Sequence, residues 1–143
     1  MNNSQLERYA FLWSEVRLVI AGIALLIGGV PPIYLIAPTG VFGLARLGLV
    51  VCWIISGVAA AYLGWRWYDK GMVIFGGKDS KDSVAFAVMV ITGLNLGLTG
   101  VLGQNIGMSI IGGKVVFFVA GLVYLYVAYH LYNCWKKNGG HVF

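Results

Sequence analysis

The chain has 143 residues, of which 59% are hydrophobic and 10% charged, with a formal charge of +5. Soluble domains carry about 25% charged residues and at this length bury only about two-thirds of their surface, so this composition points to lipid as the outer solvent. The basic residues flank apolar runs and form no stripe interleaved with aromatics, which argues against nucleic acid as a partner.

In chain order, residues 4–16 read as the start of a helix. Ser4 and Glu7 have capping-box spacing. Leu6, Tyr9, Leu12, Trp13 and Val16 recur at helical spacing as one apolar stripe, with Glu7, Arg8 and Glu15 on the other sides. The expectation is an interfacial helix start that then enters the membrane. Glu7 and Glu15 and the lack of a small-residue cleavage site fit a cleaved signal peptide poorly.

Four apolar spans follow, over approximately 18–36, 47–65, 84–103 and 115–135. Pro31 and Pro32 fall in the first and should end or kink its helix. Arg46 and Arg66 bracket the second. At about 1.5 Å per residue, its length matches the roughly 30 Å hydrocarbon core. The connection 66–83 holds seven of the 15 charged residues and belongs in water, whereas 104–114 is glycine-rich and reads as a tight loop. Within 66–83, Gly76-Gly77-Lys78-Asp79-Ser80 is a solvated turn and not a phosphate loop. Met72 stands where that motif needs glycine, and Asp79 where it needs Ser or Thr.

Orientation follows from basic residues. Arg8, Arg17, Arg66, Lys70, Lys78, Lys81, Lys136 and Lys137 make eight on one side, against Arg46 and Lys114, two, on the other. Both termini are therefore expected in the cytoplasm, in a plasma (inner) membrane. Trp13, Trp65, Trp67 and Trp135 are placed as an aromatic belt near the same interface. A shift of 68 residues aligns Arg46 with Lys114, Trp67 with Trp135 and Gly71 with Gly139, the pattern of two parallel hairpins.

The third span carries the most chemistry. Ala85, Val88, Thr92, Asn95, Thr99 and Gly103 share one helical face, with Leu94, Leu98 and Val101 opposite. In lipid the Asn95 amide must find a partner. Gly93 and Gly97 form a GxxxG pair, as do Gly103 and Gly107, and the second span carries Gly57, Ala61 and Gly64. Small residues of this kind let helix backbones approach. The expectation is helix packing, and the alternative is a pore lining.

Other residues are read as structural. His130, among Tyr126, Tyr129 and Tyr132, is read as aromatic-belt packing and not as a haem ligand or proton carrier. Cys52 and Cys134 have no CxxC partner for redox or metal chemistry. Cys134 is read as an idle thiol in preference to a palmitoylation site.

These readings give an all-α integral membrane protein: one membrane domain over 1–143, with four transmembrane helices as two hairpins. No catalytic group, cofactor or metal is expected. The expected role is non-enzymatic, an assembly or accessory subunit that associates with itself or with other membrane subunits. The alternative is an oligomeric pore or channel, holin-like or part of a secretion system. A small transporter is the weakest reading, because no Asp or Glu falls within the four spans as bounded above.

Overall fold

In the computed structural model, residues 3–110 and 112–143 are described. The chain is all-helical. Helices α1 (Asn3–Leu26), α3 (Phe42–Asp69), α4 (Ser80–Leu102) and α6 (Lys114–Lys137) are long, while α2 (Ile33–Ile36) and α5 (Ile106–Ile110) are short. The four long helices are each long and apolar enough to cross a membrane. They form an up-down-up-down bundle in which α3 packs most closely on α4, and α1 on α6. The intimate pairs are thus not the consecutive hairpins α1/α3 and α4/α6. The start of α1, the tail after α6 and the 70–79 connection lie at one end, here the terminal end; α2 and α5 lie at the far end.

The first helix departs most from expectation. It begins at Asn3 and ends at Leu26, so it is not the predicted 18–36 segment. The prolines do not stop it. Gly28 takes a left-handed φ of 93°. Its N–H donates to Leu25 O at 3.1 Å, and the Gly29 N–H donates to Ala24 O at 2.7 Å. This pair of bonds satisfies carbonyls that a helix end leaves free. Pro31 follows the stop, where a helix could not have continued.

The buried face of α1 is also the reverse of the predicted one. Glu7, Ala10, Phe11, Ser14, Glu15, Arg17 and Leu18 are buried, whereas Leu6, Tyr9 and Val16 are exposed. Glu7, Glu15 and Arg17 point into the bundle, Arg8 stays exposed, and most of the apolar stripe points out. An interfacial or soluble helix does the opposite; an apolar solvent outside rewards this arrangement, because polar groups must then find partners within the protein. The capping box is not formed either, since the Glu7 carboxylate reaches Arg66 Nη2 at 2.6 Å.

Glycine contacts set the helix spacing. A Cβ on Gly97 would lie 2.6 Å from Gly57 Cα, and one on Gly121 would lie 2.8 Å from Gly22 O, so both helix pairs meet backbone to backbone. The apolar core lies at the terminal end. Phe11 stacks on Trp135 and meets Phe75 edge-on, while Phe86 contacts Trp67 and Phe143. Ile74 from the 70–79 connection and Val142 from the tail are sealed into the same cluster, and Phe75 N–H donates to Val142 O at 2.8 Å. Each large side chain fully buried there contributes about 1.5–3 kcal/mol. Trp67 and Trp135 therefore belong to the core and not to a surface belt. Trp13 donates to Ser56 Oγ at 3.0 Å, well along the bundle.

The 68-residue shift superimposes two helix stops. Gly71 and Gly139 have φ of 66° and 67°. The bonds Gly71 N–H to Tyr68 O and Met72 N–H to Trp67 O reappear as Gly139 N–H to Lys136 O and Gly140 N–H to Trp135 O. The match does not reach the helix contacts, since Gly57 of α3 faces α4 whereas Gly121 of α6 faces α1.

Candidate functional site

Two polar clusters are built into the bundle. The first is carried by α1 at mid-height. Glu15 and Arg17 are 6% and 7% exposed. Two residues apart on a helix, they do not face each other. Arg17 reaches across to α4, with Nη2 donating to Met89 O at 2.7 Å and Nη1 to Thr92 Oγ1 at 3.1 Å. Thr92 Oγ1 itself lies 2.8 Å from Val88 O and 3.0 Å from Met89 O. The guanidinium thus staples α1 to α4. Ser14 Oγ, Glu15 Oε1 and Arg17 Nε have no hydrogen-bond partner among the described residues. Buried polar atoms in this condition cost free energy unless water or an ion satisfies them. Glu7 and Glu15 thus lie within a helix long and apolar enough to cross a membrane, contrary to the expectation that such segments hold no acid.

The second cluster is at the terminal end. His130 and Cys134 are four residues apart on α6 and share a face. Asp82 faces them from the first turn of α4, which begins where Asp79 Oδ1 accepts the Lys81 N–H at 2.6 Å. Asp79 is thus the N-cap of α4. His130 Nε2 lies 2.7 Å from Asp82 Oδ1, Cys134 Sγ lies 3.4 Å from the same oxygen, and Sγ to Nε2 is 3.7 Å. Tyr126 stacks against the imidazole, with ring centres 6.3 Å apart. His130 is therefore more than aromatic packing. A nucleophile relay places the imidazole between thiol and carboxylate and uses both ring nitrogens. Here Nε2 faces both groups, so the three donors converge on one point and do not form a chain.

The polar face of α4 turns inward as predicted, and Leu94, Leu98 and Val101 are exposed. Gly93 is buried against Ala60, with Ser56 O and Arg17 Nη2 nearby. Gly97 meets Gly57, and Gly64 faces Val90. Thr99 is buried, and its hydroxyl donates to Asn95 O at 2.8 Å. Three predicted packing residues have other roles. Gly103 ends α4 at φ 72°, a conformation that favours glycine. Ala61 points outward, because Ala60 is the residue facing α4. Asn95 pins the far-end loop: its Nδ2 donates to Asn105 Oδ1 at 2.9 Å and its Oδ1 accepts the Gly107 N–H at 3.0 Å.

Sequence reasoning missed both clusters. The H-x3-C spacing on α6 was visible, but its third member comes from a residue 48 positions from His130. Glu15 and Arg17 were visible but assigned to an interface. The chain matches no family model, no curated protein and no solved structure.

Proposed function

We propose that this chain is a non-enzymatic membrane subunit that works by docking against other membrane helices, its own copies or a larger partner. The observation that carries this reading is the outer face of α3. This is the longest helix, yet its buried residues are Ser56, Ala60 and Leu63. Leu44, Leu47, Val51, Ile54, Val58, Ala61, Trp65 and Tyr68 are all exposed. They repeat at alternating three- and four-residue steps, the a/d spacing of a helix seam, with the small Ala61 where a partner backbone could approach. In contrast, Asn95, on which a pore lining rested, is bonded within the chain.

The test is native mass in mild detergent for the wild type and for Ala61→Trp. The wild type should run as a complex larger than one chain, and Ala61→Trp should shift it to a smaller particle with unchanged helicity. A wild-type particle of one chain with no co-purifying partner would refute the docking role.

A second reading is favoured by one observation. A buried acid beside a buried arginine at mid-height is the kind of group used to carry protons or ions across a bilayer. Vesicles containing the protein would then pass protons or ions, and Glu15→Gln would abolish the flux. Equal flux in the two proteins would remove transport from consideration.

A further inference from the structure

We propose that Asp82, His130 and Cys134 form a three-ligand binding site for a divalent first-row transition cation of the zinc class, at the terminal end of the bundle. The inference is independent of the docking role.

The donor set selects the ion. One imidazole, one thiol and one carboxylate suit zinc, cobalt or nickel, whereas calcium and magnesium take oxygen ligands. The geometry is close to what such an ion needs. With metal bonds of about 2.0 Å to nitrogen and oxygen and about 2.3 Å to sulfur, a tetrahedral site has ligand–ligand edges of about 3.3–3.5 Å. The thiol edges are 3.4 and 3.7 Å, and only the 2.7 Å separation of His130 Nε2 from Asp82 Oδ1 must widen. That widening is about half an ångström, within reach of a rotation of the Asp82 side chain. The three donor atoms lie within 4.8 Å of one another, one such group among the described residues.

Charge balance favours binding. A divalent ion with one thiolate and one carboxylate is neutral overall, which lowers the cost of a half-buried site. The His130 and Asp82 side chains are 26% and 18% exposed, so water can reach a fourth position. Three protein ligands plus water is the open form of a zinc site, as distinct from the closed four-ligand structural form. The ion would also clip the start of α4 to the end of α6. Binding displaces the thiol proton of Cys134 to solvent, and no oxidant or reductant is required.

The experiment uses the full chain in mild detergent, stripped with chelator, in a Cys52→Ala background so that Cys134 is the sole thiol. Cobalt(II) alone is the probe. The expected result is a thiolate-to-cobalt charge-transfer band with tetrahedral visible bands, saturating at one ion per chain and bleached by zinc. Cys134→Ser should remove the charge-transfer band. His130→Ala should weaken binding by more than about 100-fold, since loss of an outer-shell partner alone costs roughly 10–100-fold. His141→Ala, in the tail, should bind as the parent does. Absence of the band at saturating cobalt, its persistence in Cys134→Ser, or cobalt binding in His130→Ala as tight as in the parent overturns the proposal. Alkylation of Cys134 in the otherwise unaltered protein provides a check that needs no ligand variant to fold. Zinc should slow that reaction at least about tenfold, as for a ligand held in a metal bond, and an unchanged rate overturns the site as well.

Discussion

The two ends of the bundle are built on different principles. At the terminal end, large side chains from all four long helices, the 70–79 connection and the tail close around Phe11 and Phe86. Polar groups there are matched, as in the ion pairs of Arg66 with Glu7 and Asp69 and the contact of His130 with Asp82. Toward the far end, the buried residues are few and small: Gly22, Thr99 and Gly121. Order there rests on backbone contact and on the Asn95 amide. An end that meets water must bury its own apolar surface as a soluble domain does, whereas an end surrounded by lipid gains little from doing so and relies on close packing and hydrogen bonds. The contrast is the one expected of a membrane bundle with a water-facing base.

The largest effect should come from the terminal core. Phe86→Ala removes a fully buried ring between Trp67 and Phe143 and should cost about 3–5 kcal/mol. Phe118→Ala, at a ring 52% exposed on the outer side of α6, should change stability by less than about 0.5 kcal/mol. Reversible unfolding in detergent measures both. Similar losses at the two sites would erase the contrast.

The next effect belongs to the backbone crossings. In Gly97→Leu the new Cβ alone would lie 2.6 Å from Gly57 Cα, and backbone cannot move aside as a flexible side chain can. Overpacking of this kind costs about 1–3 kcal/mol or more. Gly48→Leu, where nothing lies within 4 Å of an added Cβ, should leave unfolding within about 0.5 kcal/mol of the parent. A Gly97→Leu protein as stable as its parent would mean that α3 and α4 are not in backbone contact.

How much of this was legible in the sequence depends on how far apart the causes lie. The four apolar helices were legible, because hydrophobicity over about 20 residues is a local property. The inward face of α4 was legible from its period. The end of α1 falls well short of the expected 36 because Gly28-Gly29 form a left-handed terminator, a stop that acts before the prolines are reached. The face of α1 was inverted because a rule suited to water was applied to a helix whose outside is apolar. The roles of His130, Cys134 and Arg17 depend on Asp82, Met89 and Thr92, and no periodicity in one segment reports a partner on another helix. Ala61 and Ala60 are neighbours, and a rotation of about 100° separates them, so spacing alone could not decide which faces α4.

A smaller effect tests how the far end is held. Asn95→Leu removes the acceptor of the Gly107 N–H and the donor to Asn105. A polar contact of this type is worth about 0.6–2 kcal/mol in membrane proteins. Global unfolding should change by that amount, and amide exchange at Gly107 should accelerate while that of the terminal core does not. Faster exchange throughout the bundle would show that Asn95 holds more than the loop.

Measured against a parent already free of Cys52 and Cys134, the last prediction alters no core packing and should leave stability within error, yet it decides which end is which. Buried at mid-height and bonded to α4, Arg17 no longer counts as a surface charge. The terminal end then carries Arg8, Arg66, Lys70, Lys78, Lys81, Lys136 and Lys137, against Arg46 and Lys114 at the far end. Seven against two is still a strong bias, and basic residues near span ends are retained in the cytoplasm. A cysteine at Ser80, beside the N-cap of α4, should therefore react with an impermeant maleimide only when the cytoplasmic side is opened. One at Thr39, in the turn before α3, should react from outside intact cells. Both positions are at or next to exposed connections, so reactivity reports sidedness and not burial. Cys52 and Cys134 must be replaced beforehand, because both are free thiols. The reverse labelling pattern would place the charged, densely packed end outside. The basic bias would then have failed as a guide for this chain, and the cytoplasmic assignment of both termini would fall with it.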